Sequence, residues 1–371
     1  MPSHAATNDC LNKRITLAAL MLLLAGCRIE IDVPTSGSVT TTSGAISCSA
    51  GEQCTVDVSD IFFDETFVAE ADEGFVFTGW ESKDKGLCGG SNDDCHLETS
   101  AFADNDTLMA FLEDPTDTYY LQPQFQSTGF NSLMIGHSFF RPFAEGLPEH
   151  AERAGIANHE VQIVFNGGQN GAPEALWDNA NKRAEIQAIL DEGGIELFAM
   201  TYHNLFPTLR GYRLWIDYAL QQNPDVRIAV ALPWLSFPED HDAATYDALW
   251  SGFQSGDWHA GIDQLRREYP DTEIFSIPYG RSAVELRNLF AAGNLPDVDA
   301  LKSKSVDAIF RDDLGHADDI LIELGRLVWL NAVYDVDLLS YEYEPPYETD
   351  LKALAQKIMD EHDPNYDALY R

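Results

Sequence analysis

Four short segments of this sequence combine side chains able to activate a hydroxyl, serve as a base and donate to an anion. They are Gly136-His137-Ser138-Phe139-Phe140, Asn166-Gly167-Gly168-Gln169-Asn170-Gly171, Thr201-Tyr202-His203-Asn204 and Asp312-Asp313-Leu314-Gly315-His316. A serine becomes a nucleophile only beside a base, the base needs an acid to orient it, and an acyl oxyanion needs preorganised donors. The four segments offer one candidate for each of these roles. Taken singly, Ser138 has a lesser alternative reading as a helix N-cap, and His316 reads equally well as a helix cap or a surface partner of Asp312. Gly-His-Ser-Phe-Phe lacks the second glycine of the Gly-x-Ser-x-Gly elbow, and only one strand of its domain precedes it, so an α/β-hydrolase is not the expected scaffold. His137, His203, His241 and His259 fall in no His-Glu-x-x-His or close carboxylate–histidine spacing. No metal and no other cofactor is therefore expected.

The elements that must position these residues are legible as short apolar runs. Leu133-Met134-Ile135 precedes the first segment, Val161 to Phe165 the second and Ile195 to Met200 the third. Ile228 to Leu232 and Ile274 to Ile277 complete a set of five. Helical patterns lie between them, over Ala180 to Asp191, Tyr212 to Gln222, Ala260 to Tyr269 and Ser282 to Leu289. Five apolar strands separated by helices predict an α/β domain with a parallel sheet covered on both faces. Ligands of such sheets bind beyond the carboxyl ends of the strands, which is where three of the four segments fall.

This order of motifs resembles the SGNH (GDSL-type) hydrolases over roughly residues 130–335. The resemblance implies a flavodoxin-like three-layer α/β/α sandwich with a five-stranded parallel sheet. It implies Ser138 as nucleophile, Asp313-x-x-His316 as the orienting acid and base, and a backbone N–H of the second segment, at Gly168, in the oxyanion hole. The family's Gly-x-Asn-Asp block reads Thr201-Tyr202-His203-Asn204 here, so the remaining oxyanion donor is Asn204, or His203 in direct register. The usual Gly-Asp-Ser reads Gly-His-Ser, placing His137 where the family has an acid outside the triad.

Residues 1–27 read as a lipoprotein signal. Lys13 and Arg14 precede an apolar run from Ile15 to Ala25 that is shorter than the roughly 20 residues needed to span a bilayer. Leu24-Ala25-Gly26-Cys27 resembles the bacterial lipobox, which implies acylation of Cys27 and a lipid anchor on an exported protein facing the periplasm or the outer-membrane surface. Residues 28–126 alternate as short strands and hold Cys48, Cys54, Cys88 and Cys95. Four cysteines in an oxidising compartment allow three disulfide pairings, of which the local one, 48–54 with 88–95, best suits short strand connections. The order of features around Phe77-Thr78-Gly79-Trp80 resembles the InlB B-repeat-like β domains of bacterial surface proteins, which implies a spacer or adhesion role with Trp80 in its core. Residues 127–371 have no cysteine and form the expected hydrolase domain.

A formal charge of −38 repels phosphate backbones and argues against nucleic acid as a partner. The reading that follows is an envelope-anchored serine esterase acting on a small-molecule or carbohydrate ester. Family analogy points to acetyl esters. The alternative is a non-catalytic surface binding lipoprotein with a degenerate hydrolase-like domain, motivated by the altered first and third blocks.

Overall fold

The computed structural model describes residues 27–113 and 117–362, so the expected signal over 1–26 lies outside the described residues. The chain divides into two compact units between Phe125 and Gln126. In the first unit, Gly37–Thr41, Ser47–Cys48, Asp64–Ala71 and Cys95–Glu98 form an antiparallel sheet. Cys27–Asp32 runs between Gln53–Val58, antiparallel, and Thr118–Leu121, parallel. Alternation drives this arrangement: Ile29 and Ile31 are buried while Arg28 and Asp32 face water. The disulfides are the local pair, Cys48–Cys54 and Cys88–Cys95. Trp80 is buried in this unit's core, with its indole N–H donating to the Asp93 carbonyl at 2.9 Å.

One feature departs from the expected all-β unit. A helix, Asp106–Glu113, forms where Asn105 accepts the N–H groups of Thr107 and Leu108, an N-cap the strand pattern had hidden. Cys27 begins a strand, and its buried thiol lies 3.6 Å from the Val58 carbonyl. Burial pushes that thiol's pKa up. Among the described residues no helix is long and apolar enough to cross a membrane.

The second unit holds the five-stranded parallel sheet. Its strands are β1 (Asn131–Gly136), β2 (Glu160–Phe165), β3 (Leu197–Thr201), β4 (Arg227–Ala231) and β5 (Ile274–Ile277), in the order β2-β1-β3-β4-β5. The chain leaves β1 for one edge and returns to its other side as β3, so β1 marks the switch point of the topology. Helices follow as α1 (Arg141–Arg153), α2 (Pro173–Asp178), α3 (Ala180–Leu190), α4 (Arg210–Gln222), α5 (Ala243–Phe253), α6 (His259–Glu268), α7 (Gly280–Ala291), α8 (Asp319–Tyr334) and α9 (Leu351–Asp360).

Both faces of this sheet are buried. Met134, Ala199, Ala229 and Phe275 pack with α1, α7, α8 and α9; Leu133, Ile135, Phe198 and Ile228 pack with α2 to α6. The period of two along each strand sends alternate residues into the two cores, which is why the strands read as unbroken apolar runs. α8 is apolar nearly all round, from Ile320 through Trp329 to Val333. Each of its buried leucines contributes about 1.5–3 kcal/mol relative to exposure. Leu324→Asp in its middle would leave an unpaired charge in that core.

One element was not legible. Ala300–Lys302 and Ala308–Phe310 pair in parallel, and Phe310 bridges Ala317. The Arg311 N–H donates to the His316 carbonyl at 2.9 Å, and the Asp318 N–H to the Ile309 carbonyl at 3.0 Å. Three-residue strands are too short for their period to register in sequence, yet these clamp both ends of the Asp312–His316 loop.

Three imidazoles of this unit, buried at His137 and His150 and half-buried at His159, are held uncharged. Burial pulls His137, His150 and His159 down to about 4. The unfolded chain takes up protons that these native histidines refuse, so their contribution is complete above about pH 6.5 and is lost as pH falls toward about 4, at up to about 1.4 kcal/mol per pH unit for each. The urea midpoint followed by tryptophan fluorescence, which six of the seven tryptophans report from this unit, is expected to drop between pH 7 and pH 5. His150→Gln, which removes one such site, should flatten that slope; an unchanged midpoint across this range would refute it.

Candidate active site

Ser138 stands two residues beyond the last residue of β1, in the turn that leads into α1. The Phe140 N–H donates to the His137 carbonyl at 3.1 Å and closes that turn, leaving the Ser138 side chain half-buried at the carboxyl end of the sheet. Its Oγ lies 2.8 Å from His316 Nε2. The two residues are 178 positions apart, and the sheet and the clamped loop bring them together.

The carboxylate behind His316 is Asp312, which corrects the expectation for Asp313. His316 Nδ1 donates to Asp312 Oδ2 at 2.7 Å. Asp312 Oδ1 accepts the backbone N–H groups of Gly315 at 3.0 Å and His316 at 3.1 Å. Burial pushes this carboxyl up, but the His316 backbone and ring and the Gly315 N–H outweigh it and hold the pKa below the usual carboxylate value. Asp313, by contrast, is 85% exposed in its side chain and pairs with Lys302, which also pairs with Glu239. The reason is the turn. Gly315 takes φ +95°, which folds the chain back so that residue 312, four before the histidine, lies beneath the ring. A side chain at 315 would also press on Pro238, 2.9 Å from its Cβ.

With Nδ1 committed to a carboxylate, Nε2 is left as the acceptor for the Ser138 hydroxyl. An aromatic wall keeps the ring in place. Phe139 meets His316 edge-on at 5.2 Å and stacks on Trp234 at 4.7 Å, while the Trp234 indole N–H donates to the Gly315 carbonyl at 2.7 Å. One indole thus supports both the loop and the ring that braces its histidine.

The other expected residues separate on inspection. Gly168 is exposed on the outer part of its turn, with φ +53°. Gly171, at the end of that turn, is buried against the end of β1: a Cβ there would meet the Gly136 carbonyl oxygen at 2.3 Å. The packing at the end of β1 therefore requires a glycine at 171, just ahead of Pro173, the first residue of α2.

In the third segment Asn204 is exposed, and His203 is half-buried with its ring 5.2 Å from that of His137. His203 Nδ1 accepts the Leu205 N–H at 3.2 Å, which leaves Nε2 to carry the proton. Burial lowers the His203 pKa, so its ring stays neutral at pH 7. His137 is itself locked: its Nε2–H donates to the Tyr202 carbonyl at 3.0 Å, and its Nδ1 faces the Phe139 N–H at 3.4 Å. It ties the serine turn to the third segment, a role that the motif alone did not predict.

No protein-family model matches this chain, and no curated protein matches it. Among solved structures, a DUF4886 family protein from Bacteroides uniformis ATCC 8492 is similar at a TM-score of 0.47 and 17% identity, over 64% of this chain and 96% of that one. The periplasmic domain of a Salmonella ser. Paratyphi A lipopolysaccharide acetyltransferase is similar at a TM-score of 0.33 and 14% identity, over 56% of this chain and 83% of that one. Both scores lie below 0.5, and neither likeness carries an activity over to this chain.

Proposed function

We propose that this protein is an SGNH-type serine hydrolase that cleaves carboxylic esters through an acyl-enzyme on Ser138. The single observation that carries the reading is the unbroken hydrogen-bonded series from Ser138 Oγ through His316 to Asp312. The β2-β1-β3-β4-β5 strand order, with the serine at the switch point, supports it. Export and lipid attachment at Cys27 belong to the same proposal and rest on the Leu-Ala-Gly-Cys motif.

In this mechanism Ser138 Oγ attacks the acyl carbon as its proton passes to His316 Nε2. Asp312 steadies the imidazolium that results, without taking up the proton. The carbonyl oxygen becomes an oxyanion, held by the backbone N–H groups of Ser138 and Gly171 and by Nε2–H of His203. His316 then protonates the departing alkoxide, and the alcohol leaves. Water attacks the acyl-enzyme, gives a proton to His316 and releases the acid, and the proton returns to Ser138. The neutral state of His203 suits this donor role, since its only free proton is the one on Nε2.

Three comparisons test the assignment on a short activated ester such as p-nitrophenyl acetate. Ser138→Ala and His316→Ala should each remove nearly all turnover, and the double variant should be little worse, because members of a triad act as a unit. A folded protein with no turnover and no adduct between Ser138 and a serine-directed phosphonate sinks the enzyme and promotes the binding lipoprotein.

Asp312→Asn should cost about 10³–10⁴-fold in kcat by favouring the wrong tautomer of His316, whereas Asp313→Asn should stay close to wild type. Equal effects of the two would put the orienting acid back in doubt.

His203→Ala should lower kcat by about 10²–10³-fold, the usual cost of one oxyanion donor, and Asn204→Ala should change little. The reverse order would return the donor role to Asn204.

A further inference from the structure

One large apolar side chain of the first unit stands almost wholly in water. Phe62 is 83% exposed, in the turn that joins Gln53–Val58 to Asp64–Ala71. Singly exposed apolar residues are common, but this one is held out by the bonds of its own turn. The Phe62 N–H donates to Asp60 Oδ1 at 2.8 Å. The buried Thr99 donates its hydroxyl to the Asp60 carbonyl at 2.8 Å and its N–H to the Phe63 carbonyl at 3.0 Å. Ile61 and Phe63, on either side, pack against the unit's core, so the ring between them is left facing out.

The place of this turn gives the ring a partner. Cys27 pairs with Val58, so the turn after Val58 lies at the end of the sheet where Cys27 stands. The Leu-Ala-Gly-Cys motif puts the lipid on Cys27, and Cys27 is itself the first residue of a strand. The next residue is already held, the Arg28 N–H donating to the Asp117 carbonyl at 3.0 Å. No linker therefore separates such a lipid from the folded unit, and this end of the sheet must rest at the bilayer surface. Phe62, four residues beyond Val58, is the large apolar side chain exposed there among the described residues.

The surrounding charges select the kind of leaflet. Asp60 and Asp64, two residues to either side of Phe62, are exposed. Asp60 closes the turn and Asp64 faces His96 Nε2 at 2.8 Å. An anionic lipid surface repels such carboxylates within a Debye length, and a zwitterionic one does not.

We propose that Phe62 is a membrane contact, its ring entering the headgroup region of the zwitterionic leaflet that holds the Cys27 lipid. This rests on the proposed lipid attachment at Cys27. A phenyl ring at that depth buries its apolar surface at the boundary between headgroups and acyl chains. The lipid supplies the affinity, and the ring gives the unit a second point of contact and so an orientation.

The test places a tryptophan at the contact. The full chain carrying Phe62→Trp is purified with its lipid, incorporated into phosphatidylcholine vesicles, and its emission is compared with that of the parent chain. The added emission should shift to the blue, be quenched by lipids brominated on their acyl chains, and escape quenching by iodide. Phe75→Trp, beyond the other end of Asp64–Ala71, should show none of these changes. Phosphatidylglycerol in the vesicles should weaken the lipid quenching at position 62. Asp60→Asn with Asp64→Asn, which keeps both acceptors, should restore it. Cys27→Ser should lose both the acyl mass and the vesicle-induced shift. A lipidated chain that floats with vesicles while its tryptophan at position 62 stays open to iodide overturns the inference and leaves the anchor standing. Equal changes at positions 62 and 75 overturn it as well, and quenching indifferent to phosphatidylglycerol overturns the choice of leaflet. A chain with neither acyl mass nor flotation overturns the anchor and the inference together.

Discussion

The Asp312 carboxylate is the interaction on which the candidate site depends. One oxygen closes the Asp312–His316 loop by accepting two backbone N–H groups, and the other orients the His316 ring. Loop closure and imidazole orientation are therefore not separable. The carboxylate must be ionised to do both, and the same three donors that it satisfies are what keep it ionised. A loop held by so few bonds needs support at its ends, and the short parallel pair ending at Phe310 supplies it on one side and α8 on the other. Trp234 adds a third attachment through the Gly315 carbonyl.

Around this loop the sheet works as a positioning device. Five strands with both faces buried are rigid, and their carboxyl ends place the turns after β1, β2 and β3 side by side. Gly136 at the end of β1 and Gly171 ahead of α2 approach so closely that neither the serine turn nor its neighbour can shift without the other. His137 completes the arrangement from the third side. Its neutral imidazole both accepts and donates, so it bridges two backbone segments where a carboxylate could only accept. That difference gives a physical account of a histidine at this position. It also explains why a second histidine, His203, is tolerated next to it: two neutral rings pack edge to face, where two charged ones would repel.

The two units are stabilised by different means. The first is small and builds its core around Trp80 and Phe67, with two local disulfides closing short loops. Crosslinks help where a core of this size buries little surface. The second has two extensive apolar cores and no cysteine. Its stability therefore rests on packing, and the histidines buried in that packing give it an acid-sensitive edge.

What the sequence by itself determined was whatever depends on period, order and residue type. Apolar runs such as Leu133-Met134-Ile135 specify buried strands because both faces of a parallel sheet are covered. Ser138 and His316 stood out as candidates because a Gly-x-Ser after the first strand and a late Asp-x-x-His fall in the order of the family's motifs. The nearness of Cys48 to Cys54 and of Cys88 to Cys95 made the local disulfides the simplest pairing. The tertiary structure decided the choices between near neighbours. Asp312 and Asp313 differ by one position, and only the positive φ of Gly315 turns the first under the imidazole and the second toward Lys302. Gly168 and Gly171 are alike as residues, and only the close approach to Gly136 separates them. His203 and Asn204 are both donors, and which of them faces His137 follows from the register of β3 against β1. In each case the deciding quantity is the direction of a loop side chain, which composition and spacing do not encode.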